Sequence, residues 1–140
     1  MSEYKAIKYE KKDGVAIITL NRPDAMNAVN QQMVSEIEEV INICEDDEEI
    51  RAILFTGAGA NFNAGGDLQE FSGASPEFML KFNGRLIEVY KKMMRMRKPI
   101  IAAINGFAVM DMLNGFDLIV AADNARLANP EVGVGISPGA

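Results

Sequence analysis

Histidine is absent from the 140-residue chain, and cysteine occurs once, as Cys44. The first absence removes the usual zinc sites together with Ser-His-Asp and Cys-His catalysis. The single thiol excludes a disulfide framework and a thiolate metal cluster. Acid–base chemistry is therefore left to carboxylates, lysine or tyrosine. Long apolar runs are also missing, since none approaches the roughly 18–20 residues of a membrane-spanning helix. The opening "MSEYKAIKYEKKDG" has no apolar signal core, so a cytoplasmic compartment is expected. Positive charge is in deficit, with a net charge of −6. That balance speaks against a nucleic-acid or anionic-membrane surface, which needs clustered Lys and Arg. What is present is ordinary for a globular protein: 49% hydrophobic and 24% charged residues, in a chain long enough for one domain with a core.

Strands are expected over Tyr4 to Tyr9 and Val15 to Leu20, joined by a hairpin turn at "KKDG", because Asp-Gly tolerates positive φ. Met33, Val34, Ile37, Val40, Ile41 and Cys44 recur at three and four residues, which predicts an amphipathic helix ended by the acidic "EDDEE". "AILFT", Ala52 to Thr56, reads as a short buried strand before a glycine-rich loop. Ser75-Pro76 has a capping residue followed by proline at the first helical position. The helix behind it sets Met79, Phe82, Leu86, Val89, Tyr90 and Met93 on one face, and Lys98-Pro99 stops it. "IIAAI" is another buried strand, Asn105-Gly106 a turn, and Leu118 to Ala121 and Ala125 to Ala128 are two further short strands. A short helix is expected between "IIAAI" and the last strands. The alternation predicts an α/β protein.

Three loops carry polar and small residues that admit chemistry. In "TGAGANFNAGGD", Gly57 and Gly59 fit the first two positions of a dinucleotide fingerprint, but Phe62 occupies the third and no helical pattern begins there. The loop is then either a flexible surface segment or, at "NAGGD", a place where a ligand approaches the backbone and Gly65-Gly66 aim N–H groups at it. "NRPDAMNAVN" on its own reads as a strand-to-helix connection. "NPEVGVGISPG" carries Glu131 after a proline, a position where most glutamates are solvated. In "NGFAVMDMLNGFD", Asp111 lies between two methionines, and a charge in such a stretch needs a partner, water or a function.

Taken together, these segments are far more specific. "NRPDAMNAVN" resembles the N-R-P-x-x-x-N-A loop of the crotonase family, which includes enoyl-CoA hydratases and isomerases. "FTGAGANFNAGGDLQEF" resembles the family's T-G-x-G-x-x-F-x-A-G-x-D-L segment. "KPIIAAINGFAV" and "AADNARLANPEVGVGISPG" resemble the two stretches that follow, in family order. The resemblance implies a crotonase-like α/β spiral of ββα repeats, with residues 1–140 as its N-terminal spiral domain. The chain ends at "SPGA", where relatives continue into C-terminal helices that close the pocket and join subunits. It implies an acyl-CoA thioester ligand, coenzyme A being part of the substrate and not a separate cofactor, no metal, and a homo-oligomer, a trimer or a hexamer.

The mechanism implied by the family suits a chain without histidine. Backbone N–H groups bind the thioester oxygen as it gains charge, and carboxylates near the reacting carbons move protons or position water. Gly66 matches the position of the first oxyanion donor. Met26 and Ala28 match a loop bordering the coenzyme A arm, and Ala64, Gly66, Asp67, Leu68 and Gln69 match the segment lining the acyl-CoA site. Asp117 matches the family's final aspartate. Six residues back from it lies Asp111, at the position of the first catalytic glutamate, and fourteen residues on lies Glu131, at that of the second. The resemblance thus implies an enoyl-CoA hydratase adding water syn to a trans-2-enoyl-CoA. An isomerase using mainly Glu131, and a non-catalytic acyl-CoA-binding protein, are the alternatives. Two departures stand out. Aspartate replaces the family's glutamate at Asp111. The glycine triplet whose middle member donates the second oxyanion N–H in relatives is missing, Met110 following Val109 at once. Weak turnover, or none, is the corresponding expectation.

Overall fold

The computed structural model describes residues 4–135; the end of the last signature stretch, residues 136–140, lies outside them. Strands β1 (Ile7–Lys12) and β2 (Val15–Leu20) form an antiparallel hairpin in which Lys12 faces Val15. The connecting Asp13 and Gly14 have φ of 51° and 79°, the twist that a two-residue hairpin turn requires. β1 begins later than the Tyr4-to-Tyr9 reading. The reason lies in a side chain distant in sequence. The buried Glu36 carboxylate accepts the backbone N–H groups of Lys5 (2.8 Å), Ala6 (2.8 Å) and Ile7 (3.1 Å), so a helix side chain supplies the acceptor that a strand would have offered.

Helix α1 (Gln31–Asp46) starts where the Asn30 side chain accepts the N–H of Met33. It buries Met33, Val34, Val40, Ile41 and Cys44 against the sheet, the face predicted from their spacing. Its C-terminal end is held by Lys98, whose Nζ donates to the Cys44 carbonyl at 2.5 Å and the Asp47 carbonyl at 2.7 Å. Strand β3 (Ala52–Gly57) pairs parallel with β2. A four-residue helix α2 (Leu68–Phe71) precedes α3 (Pro76–Arg95), which Ser75 caps by accepting the N–H of Phe78. On α3, Phe82, Val89 and Met93 are buried, while Met79, Leu86 and Tyr90 are half-buried.

Strand β4 (Ile100–Ile104) pairs with β3, and β6 (Leu118–Ala121) with β4, both parallel, giving a first sheet in the order β1-β2-β3-β4-β6. Between them the chain leaves this sheet. β5 (Phe107–Val109) and β7 (Arg126–Ala128) form a second, parallel sheet of two strands. The chain therefore steps from the first sheet to the second twice, at β4–β5 and at β6–β7, which is the winding expected of a ββα spiral. The short helix expected after β4 is a 3-10 turn, Met110–Leu113. Asp117 fixes the second winding to the first: its carboxylate accepts the N–H of Ile100 at 2.8 Å, and its own N–H donates to the Ile100 carbonyl at 2.8 Å.

Candidate active site

The loops singled out in the sequence meet through buried polar groups. Asn27, fully buried and with φ of 57°, accepts the N–H of Arg22 at 2.9 Å and donates to the carbonyls of Ala58 (2.9 Å) and Asn61 (2.8 Å). Its own carbonyl accepts the Asn63 side-chain amide at 3.0 Å, while Asn63 Oδ1 accepts the N–H of Gly65 at 2.6 Å. Asn105 donates to the carbonyls of Gly57 and Gly59, both at 3.0 Å. The glycine-rich stretch is thus a tied loop, not a flexible one. Sequence reasoning missed Asn27, Asn63 and Arg22 as its fasteners. The available signal was their polarity between apolar neighbours, since buried amides must find partners.

Gly66 forms a short parallel bridge with Val29. The N–H of Val29 donates to the Gly65 carbonyl at 2.7 Å, and the N–H of Asp67 donates to the Val29 carbonyl at 2.9 Å. That ladder uses the groups on either side of Gly66, so the Gly66 N–H lies on the opposite edge of the strand. The fit is tight, because a Cβ on Gly66 would lie 2.4 Å from the Phe71 ring. Gly65 has φ of 86°, open to glycine at little cost. The bridge places Ala28, which is buried, and Met26, which is exposed, on the loop beside Gly66 and Asp67. Ala64 is half-buried, and Leu68 and Gln69 are exposed at the start of α2.

Asp67 is buried and fully employed. It meets Arg22 at 2.8 Å and accepts the N–H groups of Gln69 (3.0 Å) and Glu70 (3.3 Å). Desolvation pushes its carboxyl upward, but the Arg22 hydrogen bond and the two backbone donors outweigh it and hold Asp67 below the usual carboxylate range. Arg22 also donates to the Ala28 carbonyl at 2.7 Å, so one ion pair joins the "NRPDAMNAVN" loop to the glycine loop.

Asp111 and Glu131 leave the same end of the β5–β7 pair. In this parallel register Val109 faces Ala128. Asp111 follows in the 3-10 turn after β5, and Glu131 opens another, Glu131–Val134, after β7. The bridge between Asn63 and Ala108 sets β5 against the glycine loop. Both acids are half-buried. Glu131 Oε2 is itself buried and has no hydrogen-bond partner among the described residues. Beside Asp111 stands Tyr90, whose hydroxyl donates to Met112 Sδ at 3.1 Å. Burial and the Asp111 charge together push that hydroxyl well above the ordinary tyrosine value, so it stays neutral. Cys44 is no nucleophile: burial pushes its thiol up to about 11, far from any reactive thiolate. A narrow apolar cavity lies between α1, α3 and the 3-10 turn and reaches the glycine loop at Asn63.

Comparison with known proteins bears on the fold and the family. The profile described as enoyl-CoA hydratase/isomerase matches residues 10–140. The chain is 38% identical over 141 residues to a short-chain-enoyl-CoA hydratase of Clostridium acetobutylicum, covering 98% of this chain and 54% of that protein. It is 36% identical over 140 residues to a crotonyl-CoA hydratase of Syntrophomonas wolfei, covering 97% of this chain and 54% of that one. The crystal structure of an enoyl-CoA hydratase from Polaromonas sp. JS666 superposes with a TM-score of 0.91 at 32% identity, over 96% of this chain and 55% of that one. The chain spans about half the length of the curated relatives it matches. A fold wound through two sheets that superposes on a solved enoyl-CoA hydratase, and a profile match over nearly the whole chain, lead to one conclusion: the protein belongs to the enoyl-CoA hydratase/isomerase family.

Proposed function

We propose that this chain carries the site of an acyl-CoA hydratase, with a trans-2-enoyl-CoA thioester as substrate. The observation that carries the reading is the buried Oε2 of Glu131, without a hydrogen-bond partner among the described residues, at the end of the strand pair that also delivers Asp111. A buried carboxylate oxygen without a donor is costly unless a ligand or water completes it. In this reading the thioester oxygen accepts the Gly66 N–H as it gains negative charge. A water held between Asp111 and Glu131 gives its oxygen to the β carbon, and a carboxylate returns a proton to the α carbon. The proton that leaves the water passes to one of these carboxylates and is the one available to the α carbon. Met26 and Ala28 border the coenzyme A arm; Ala64, Asp67, Leu68 and Gln69 line the acyl-CoA site, Asp67 acting through Arg22 to hold the loop. The reaction needs coenzyme A only as part of its substrate.

A second reading, an acyl-CoA-binding protein without turnover, is favoured by the direct passage from β5 into the 3-10 turn. A homo-trimer or hexamer is the proposed assembly, and the reduced, buried Cys44 fits a cytoplasmic compartment. Incubation with crotonyl-CoA followed by mass spectrometry separates the readings. Hydration adds one water to the thioester, isomerisation leaves its mass unchanged, and binding alone gives a titration signal without product. Absence of both binding and product would overturn the acyl-CoA reading.

A further inference from the structure

Asn63 joins three segments of the chain. Its backbone is held by β5: its N–H donates to the Phe107 carbonyl and its carbonyl accepts the Val109 N–H, both at 3.1 Å. Its side chain is buried, and both ends of the amide are used. Nδ2 donates to the Asn27 carbonyl at 3.0 Å, and Oδ1 accepts the Gly65 N–H at 2.6 Å. On the other side of Gly65, its carbonyl accepts the Val29 N–H at 2.7 Å. Gly65 is thus pinned at both of its peptide groups, with φ of 86°. Only two soft dihedrals lie between those groups, and a glycine leaves both nearly unrestrained. In a planar trans peptide the Gly66 N–H points opposite to the Gly65 carbonyl. The direction of that N–H is therefore decided by how Gly65 is held.

We infer that Asn63 is a positioning residue for the thioester oxygen: by holding the Gly65 N–H it locks the Gly65–Gly66 peptide with the Gly66 N–H turned toward the ligand before any ligand arrives. The inference rests on the proposed acyl-CoA site and adds to it the side chain that preorganises its donor. A donor fixed in advance stabilises developing charge without reorganisation during the reaction. Without the Asn63 acceptor, Gly65 is free to leave its left-handed conformation, and the Gly66 N–H turns with it. The same hydrogen bond keeps the Gly65 N–H engaged, so the loop offers the ligand the second glycine's N–H and not the first. Asn63 itself touches no reacting atom in this arrangement.

The test is the infrared carbonyl frequency of butyryl-CoA, isotopically labelled at the thioester carbon, when bound to the full chain. The native chain is expected to lower that frequency relative to the thioester in buffer. Asn63→Ala is expected to lose most of this downshift, with affinity for free coenzyme A unchanged. Asn63→Asp keeps an acceptor for the Gly65 N–H and is expected to retain the downshift. Should the Asn63 variants fail to fold, as judged by circular dichroism, amide hydrogen exchange of the native chain read by NMR decides the matter. Without ligand the Gly65 N–H is expected to be protected and the Gly66 N–H to exchange faster, gaining protection when butyryl-CoA binds. Three results would overturn the inference: an undiminished downshift in folded Asn63→Ala, an equal loss in folded Asn63→Asp, or a Gly65 amide that exchanges as fast as that of Gly66. Failure of butyryl-CoA to bind the native chain would instead remove the acyl-CoA reading and this inference with it. Binding without any downshift removes the Gly66 donor and this inference, and leaves acyl-CoA binding standing.

Discussion

Arg22 and Asp67 show how one ion pair organises a site at the scale of single residues. Asp67 is buried, meets Arg22 at 2.8 Å and takes two backbone N–H groups of α2. Its folded pKa lies below the ordinary value. The sign follows from that direction: the stabilisation is fully present above the unfolded carboxylate pKa of about 3.9 and is lost as pH falls through the lower, folded value. Asp67→Asn is therefore expected to lower stability at neutral pH and to flatten the acid-side decline, as read by denaturant melts from neutral pH down to about pH 2. An unchanged acid-side slope would contradict this role. Asp111 and Glu131 are singled out in the sequence through the resemblance to the crotonase family, by their spacing from Asp117. Asn27 and Asn63 are not, because their importance comes from a hydrogen bond between loops that are adjacent only after folding.

Among the elements, α3 was the most legible. Ser75-Pro76 marks its start, its apolar period marks its buried face, and the Ser75 oxygen does accept the Phe78 N–H at 3.1 Å. Ser75→Ala is expected to cost about 1 kcal/mol of stability, measured by urea melts; a change within error would show that the exposed cap is replaced by water. α2 was invisible because four residues hold no period. The start of β1 differs from the sequence reading because Glu36, on α1, takes the N–H groups of Lys5, Ala6 and Ile7. In the proposed mechanism the 3-10 turn after β5 carries most weight, because it begins at Met110, where the family resemblance implies a glycine triplet. Misplacement of a reacting group by about 1 Å can cost roughly a hundredfold in rate. Inserting three glycines between Val109 and Met110 is expected to raise crotonyl-CoA turnover by about that factor. An equal or lower rate in the folded insertion variant would show that the shorter turn is already competent.

For the whole molecule, the winding from one sheet to the other decides which residues meet. The pairing of β5 with β7 was not readable from alternation alone, since each strand has only three residues, yet it sends Asp111 and Glu131 off one end. The outer strand β6 keeps Leu118, Ile119 and Val120 exposed, at 60%, 48% and 64%. Apolar surface of this extent on a sheet edge is the kind that proteins cover with further structure, in keeping with a chain spanning about half of its curated relatives.

In the proposed function Glu131, whose buried Oε2 has no partner among the described residues, works on an enoyl thioester. The most direct measurement of this is the rate at which crotonyl-CoA loses its conjugated thioester absorbance with the native chain and with Glu131→Gln. Turnover by the native chain is expected to be slow but above the buffer rate, and Glu131→Gln is expected to bring it down to that rate while crotonyl-CoA still binds. Equal turnover by the folded Glu131→Gln variant would contradict the account.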